Sequence, residues 1–431
     1  MSPESPSPAQ QVAELTRRIY ARRITTASGG NLSIRDQGGD TWVTPARLDK
    51  GRLQPGDVVC VRANGEVAGK HRPSTEYPFH RAIYQHRPDI HAVAHAHCPS
   101  LVAFSLVGKI PAVRAAAQAY SVCGEVGCAS YAVTQSEALG EKIAEAFAGG
   151  PNVVLMENHG AVSGGPDLLT AFQRLETLES CAQALLRTGG LGPVSLLSAG
   201  QLRQFERREN RLPELEPASP SDRELELRGE LCAFVRRGCE QGMFTSRQGT
   251  LSARLDERSF LITPHGADRP ALQADGLVLV RDGRRQAGRL PSRQVRLHER
   301  IYADHPQLAA IVSAQPPNAM AYAMTGHEFE LGTIAETYIT LKSIAFAGFD
   351  GRLAAPAKIS GLLGGDTPAV LIRNEAVLTA GRTLLAAFDR LEVAEFSARA
   401  SIDSASLGGL RPLSAAQIEE LDRLYFPEMS D

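Results

Sequence analysis

With 431 residues, 43% of them apolar and 22% charged, the chain has the composition of a soluble globular protein long enough for two or three domains. Its 46 basic and 48 acidic residues leave a formal net charge of −2, which offers no electrostatic footprint for nucleic acid or an anionic membrane surface. No apolar run approaches the ~18 residues of a membrane span. The seven cysteines are scattered, odd in number and without a CxxC pair, as expected of reduced thiols in a cytoplasmic protein.

Residues 1–10 lack a basic stretch followed by an apolar core, so they read as a disordered leader and not as a signal peptide. From residue 11 an amphipathic helix pattern, QVAELTRRIYARR, gives way to short strands between Gly and Asp turns, through SGGNLSIRD at 28–36 and WVTP at 42–45. A helix is expected around 76–87. The strand after it carries AVAHAHCPS at 92–100. Alternation along a strand sets positions i and i+2 on one face, so His95 and His97 stand side by side. Such a pair reads equally well as metal ligands or as hydrogen-bonded core histidines until a third ligand is found. ENHG at 157–160 marks a further strand turn, and a long helix follows Gly165. The polar, Pro-containing stretch 201–222 reads as a linker between a first domain, 11–200, and a second, 223–431.

The second domain repeats the first. SGGNLSIRD returns as QGTLSARLD at 248–256, WVTP as LITP at 261–264, and RPSTEYPFHRAIYQHRPDIHAVAHAHCPS as LPSRQVRLHERIYADHPQLAAIVSAQPPN at 290–318. GPDLLTAFQRLETLE at 165–179 returns as GRTLLAAFDRLEVAE at 381–395. Shared order and spacing of these blocks indicate a tandem duplication. Mixed helices and strands without regular βαβ alternation predict a three-layer α/β or α+β unit for each copy, with the α/β class (α-β-α layers) as the expected fold.

The copies disagree on the residues that could do chemistry. His95 and His97 become Ser313 and Gln315, His159 becomes Glu375, Glu76 becomes Gln294, and Asn31 becomes Thr250. Core histidines have no reason to vanish as a set, whereas the ligands of one metal do, because losing one makes the others useless. His80 persists as His298, which assigns it to helix packing.

These motifs (SGGNLS, VTP, PSTE with its downstream VAHAH, and ENHG) resemble the class II aldolase/adducin family. The resemblance covers both halves. It implies a mostly antiparallel sheet between helical layers, and a four-fold ring that a two-copy chain can close as a homodimer. It implies that His95, His97 and His159 bind a divalent ion, zinc first and Mn2+, Fe2+ or Co2+ as alternatives, with Glu76 as general acid/base. It further implies that Gly30, Asn31, Ser74 and Thr75 grip a substrate anion, with Thr44 beside them. The chain departs from the family at Arg47, where a glycine is usual; a guanidinium there suits phosphate or carboxylate. Three neutral imidazoles leave coordination positions open, as catalytic zinc sites do.

The expected activity is therefore a metal-dependent aldolase or decarboxylase type of lyase. Its substrate would be a small hydroxy-oxo compound, phosphorylated or carboxylated, and its course a stabilised enediolate or enolate. An epimerase or dehydratase, and a non-catalytic adducin-like scaffold, are the alternatives. A small-molecule substrate is the expected partner, with no nucleic acid and no membrane.

Overall fold

The structure, a computed structural model, describes residues 6–207, 211–216, 219–349 and 356–426. The chain folds as two compact units, one running to Val113 and resuming at Ala119–Gln183, the other comprising Arg114–Gln118 and the chain from Ala184. In the first unit the strands are β1 (Asn31–Arg35), β2 (Thr41–Val43), β3 (Val59–Val61), β4 (Val67–Ala68), β5 (Ala92–Ala96), β6 (Val126–Ala129), β7 (Val153–Met156) and β8 (Gly160–Gly165). They form one mixed sheet in the order β4-β3-β2-β1-β5-β8-β7-β6, antiparallel throughout except for the parallel β6–β7 pair.

Strand alternation splits the sheet residues between two helical layers. On one face Val93, Val154, Met156 and Val162 pack with Phe79, Ile83 and Tyr84 of helix Tyr77–His86 and with Leu139, Ile143 and Phe147 of helix Glu137–Ala148. On the other, Ala92, Ala94, Ala96, Val153, Leu155 and Ala161 meet Val12, Leu15 and Ile19 of helix Pro8–Ala21 and Leu175 and Leu178 of helix Leu168–Arg187. Each face buries apolar surface, at roughly 25 cal/mol per Å², and a three-layer α-β-α unit results. The alanines of β5 let the helices on their side approach closely.

In the second unit β9 (Thr250–Arg254), β10 (Ser259–Ile262), β11 (Val278–Arg281), β12 (Arg284–Arg285), β13 (Ala310–Ala314), β14 (Ile344–Ala347), β15 (Ala369–Ile372) and β16 (Ala376–Gly381) repeat the order as β12-β11-β10-β9-β13-β16-β15-β14. No helix among the described residues is long and apolar enough to cross a membrane.

Two expected boundaries shift. The first helix starts at Pro8, inside the expected leader, because Ser7 and Gln10 form a reciprocal capping box and Pro8 suits the first helical turn. Residues 1–5 lie outside the described residues. The expected linker, for part of which the sequence also allows a helix, begins inside helix Ala199–Glu206, capped by Ser198 and Gln201, and ends at the start of helix Asp222–Glu240, capped by Ser221.

A buried carboxylate anchors the helix that follows the histidine strand. Glu179 Oε1 accepts from Ser100 N and its Oε2 from Leu101 N, both at 3.0 Å, at the start of helix Pro99–Leu106. Glu395 repeats this with Asn318 N and Ala319 N of helix Pro317–Thr325. Helix N-termini expose donors that need partners and favour negative charge. Glu179→Ala should therefore cost about 2–4 kcal/mol, the scale of stranding buried donors of a charge-assisted pair. Urea unfolding at pH 7 measures it, and a loss below about 0.5 kcal/mol, the scale of a neutral surface change, would show the clamp to be dispensable.

Candidate metal centre and its surroundings

The pairing of β1 with β5 sets Asn31 opposite His95 and Ser33 opposite Val93. His95 shares the face of Val93, beneath helix Tyr77–His86, and Phe79 of that helix meets the imidazole edge-on at 5.5 Å. His97 follows β5. His159 comes from the tight turn between β7 and β8, where Asn158 takes a left-handed φ of 56° that asparagine tolerates. Glu76 sits at the N-cap of helix Tyr77–His86 with its side chain free of the cap.

These elements bring the three predicted histidines and Glu76 together. The ring centroids of His95, His97 and His159 form a triangle with sides of 4.9, 5.0 and 5.0 Å. One ligand atom from each of these rings and from Glu76 lies within 4.8 Å of the other three, the one such cluster found among the described residues. His95 Nδ1 faces Ala161 O at 3.0 Å, so the nitrogen that donates is Nδ1 and Nε2 keeps its lone pair. His95 Nε2, His97 Nε2 and His159 Nδ1 are buried without a hydrogen-bond partner. Glu76 Oε1 lies 3.2 Å from His159 Nε2 and Oε2 lies 3.5 Å from His95 Nε2. Burial pushes His95 down to about 3, further than the charge of Glu76 raises it, so the ring is neutral. Burial also opposes the charge on Glu76, yet the neighbouring His95 and His159 and the Asn31 amide hold its carboxyl well below the usual carboxylate range.

Imidazole nitrogens and a carboxylate converging in a half-buried space make a donor set that fits a divalent cation. Gly160 makes room for them. A Cβ there would come 2.7 Å from Ala96 O, 3.2 Å from His97 Cδ2 and 3.4 Å from His95 Cε1.

The expected substrate residues divide. Gly30 has a φ of +71°, and a Cβ on it would strike His95 O at 2.7 Å, so only glycine fits. Thr75 and Arg47 are exposed near this loop system, and Arg47 has no polar partner among the described residues. Its φ of 58° is unusual for a side chain with a Cβ, and the second copy has Gly266 (φ 73°) in its place. Asn31, expected to grip substrate, donates from Nδ2 to Glu76 Oε2 at 2.6 Å. Ser74 Oγ accepts from Glu76 N at 3.3 Å. Thr44 departs from expectation. It is fully buried and its Oγ1 accepts from Leu32 N, a brace that Thr263 repeats on Leu251 N.

Sequence reasoning missed Lys50. It is 2% exposed, with Nζ donating to Pro45 O at 3.2 Å. Burial lowers its ammonium to about 8, opposed by the charge of Glu76. The available signal was the second copy, where the same turn position carries a buried cation again, Arg269.

In the second unit Ser313, Gln294 and Glu375 are buried, Gln315 Nε2 donates to Glu375 O at 3.0 Å, and Thr250 Oγ1 pairs with Ser292 Oγ at 2.7 Å. Ala376 stands where the first unit has Gly160.

Comparison with known proteins agrees with this duplicated architecture. The chain is 30% identical over 198 residues to the 5-deoxy-D-ribulose 1-phosphate aldolase of Bacillus thuringiensis serovar kurstaki, covering 45% of this chain and 91% of that protein. It is 32% identical over 170 residues to an L-fuculose phosphate aldolase of Methanococcus maripaludis, covering 39% and 91%. Among solved structures, YgbL of Escherichia coli, described as a putative aldolase/epimerase/decarboxylase, aligns at 26% identity and a TM-score of 0.43 over 46% of this chain and 97% of its own. The profile of the Class II Aldolase and Adducin N-terminal domain matches twice, at residues 10–186 and 229–402, and the chain belongs to that family as two tandem copies of its domain.

Proposed function

We propose that the chain is a divalent-metal-dependent carbon–carbon lyase whose first copy performs the reaction on a small hydroxy-oxo compound. One observation carries this reading: His95, His97, His159 and Glu76 each bring a ligand atom within 4.8 Å of the others, with His95 Nε2 and His97 Nε2 buried and unpartnered. His95, His97 and His159 would hold the ion, zinc first. When bound, it supplies Lewis acidity toward a substrate hydroxyl and carbonyl. Glu76 takes and returns the proton at Oε1 or Oε2, its negative charge favouring the basic form before substrate arrives. Ala161 O holds the His95 ring in the tautomer that leaves Nε2 free. Arg47 and the Gly30 loop offer an anionic substrate group its partners. The names of the relatives point to sugar phosphates as the first substrates to try. The second copy, without the histidines, is the structural partner, and the homodimer that closes a pseudo-four-fold ring belongs to the same proposal.

The test is turnover of 5-deoxy-D-ribulose 1-phosphate, L-fuculose 1-phosphate and 3-oxo acids by metal-loaded protein, with products identified. Cleavage or loss of CO2 supports the lyase. Epimerised or dehydrated product without cleavage replaces it with the alternative enzymes, and metal binding with no turnover of any substrate favours a scaffold.

Metal analysis of purified protein should give one equivalent per chain, and none after His95→Ala or His97→Ala, with the fold kept. Two equivalents of similar affinity would put a second site elsewhere.

Glu76→Gln should retain the ion but slow turnover by roughly 10²-fold or more, the scale of a lost general acid/base. Normal turnover would end the proton-transfer role.

Arg47→Gly should relieve a strained backbone, leaving stability equal or higher, while raising KM for a phosphorylated substrate by about 10-fold, the scale of a lost charge-assisted pair. An unchanged KM would remove Arg47 from the substrate set.

A further inference from the structure

His80, assigned to packing on sequence grounds, lies in a line of hydrogen bonds that ends on the carboxylate. Tyr84 OH and Ser33 Oγ are 2.6 Å apart, Ser33 Oγ and His80 Nδ1 2.7 Å, His80 Nε2 and Asn31 Oδ1 2.5 Å, and Asn31 Nδ2 and Glu76 Oε2 2.6 Å. Ser33 and His80 are fully buried, Asn31 and Tyr84 nearly so. Strand alternation explains the assembly, because Asn31 and Ser33 share the face of β1 that helix Tyr77–His86 covers with His80 and Tyr84.

The Asn31 amide dictates the direction of the line. Its Nδ2 can only donate and faces Glu76 Oε2, and its Oδ1 faces His80 Nε2. That oxygen only accepts, so His80 must carry its proton on Nε2. Nδ1 is then an acceptor, Ser33 must donate to it, and Ser33 takes the hydroxyl hydrogen of Tyr84. Every link points toward Glu76, and donors aligned in series reinforce one another in a dry interior. Burial pushes His80 down to about 3, which keeps the ring neutral and able to accept at Nδ1.

The second copy separates the general part from the special part. Ser252 Oγ meets His298 Nδ1 and Tyr302 OH, each at 2.7 Å, so Tyr–Ser–His belongs to the scaffold. Beyond the histidine the copies part. His298 Nε2 ends on Gln294 Oε1 at 3.3 Å, and Thr250 stands where the first copy has Asn31.

We propose that His80 is a positioning residue for the reaction: its neutral Nε2–H tautomer locks the Asn31 amide in the orientation that donates to Glu76 and thereby fixes the carboxylate against the histidine cluster. The inference rests on the proposed role of Glu76 as proton carrier.

Two measurements on the full-length, metal-loaded protein test it. Nitrogen-15 NMR of histidine-labelled protein, with the His80 ring assigned by its disappearance in His80→Gln, should show a protonated Nε2 and a bare Nδ1. A charged ring or the Nδ1–H tautomer overturns the proposal without any substrate.

The second measurement follows release of dihydroxyacetone phosphate from 5-deoxy-D-ribulose 1-phosphate or L-fuculose 1-phosphate. His80→Ala should lower kcat by about 10-fold with KM nearly unchanged and metal content intact, the pattern of a lost transition-state interaction. His80→Gln, whose amide N–H can replace Nε2–H, should recover part of the rate. Ser33→Ala should weaken the line with less cost to folding. His298→Ala and Ser252→Ala, which remove the matching scaffold links in the second copy, should lower stability alike and spare kcat.

In the Glu76→Gln background, His80→Ala should slow the enzyme no further. If Glu76→Gln is itself fully active, the reading of Glu76 fails. If Glu76→Gln is slow but His80→Ala costs the same in both backgrounds, or no more than His298→Ala, the positioning role fails.

Discussion

The site depends on one register, the antiparallel pairing of β1 with β5 that puts Asn31 across from His95. With a side-chain period of two, this pairing sends Asn31, Ser33, Val93 and His95 to one face of the sheet and Leu32, Ala92, Ala94 and Ala96 to the other. A slip of one residue would send the histidine into the alanine layer and the alanines toward helix Tyr77–His86. The apolar core thus holds the polar residues in place. Both copies keep this register, Ser313 standing across from Thr250, because the core that enforces it is common to both.

What the register assembles is electrostatically unstable by itself. A half-buried carboxylate and three imidazoles whose ligand atoms crowd within 4.8 Å of one another have lost much of their hydration. The Asn31 amide, Ala161 O and the neighbouring rings offset part of that cost, and a cation suits the remainder. This interdependence explains why the second copy differs at every one of these positions together. Gln294 is the neutral counterpart of Glu76, and His298, still held by Ser252 and Tyr302, finds an acceptor in its amide oxygen.

Much of this is legible in the sequence. The duplication, the α-β-α class, the HxH pair and the joint departure of its partners all follow from periodicities and from comparing one half with the other. What escapes a reading of the sequence are facts of tertiary placement. Lys50 lies in a polar turn, ARLDKG, where a lysine ordinarily faces solvent, and only the fold reveals its Nζ turned inward to Pro45 O. Thr44 belongs to a motif associated with substrate, but an adjacent strand claims its hydroxyl. His80 reads as packing because it persists as His298. Persistence captures the shared Tyr–Ser–His frame and passes over what lies beyond it, since a residue can be retained in both copies and act in one. The start of the first helix at Pro8 is hidden because SPSPAQ reads as a low-complexity leader, although Ser7 and Gln10 have the spacing of a capping box.

Gly160 limits what the turn beside the histidines tolerates. A Cβ there would meet Ala96 O at 2.7 Å, with His97 Cδ2 at 3.2 Å and His95 Cε1 at 3.4 Å, so the tightest constraint comes from the strand backbone and only secondarily from the rings. The second copy has Ala376 at this place, together with Ser313 and Gln315 where the first copy has histidines, so the methyl group and the absence of the two rings go together.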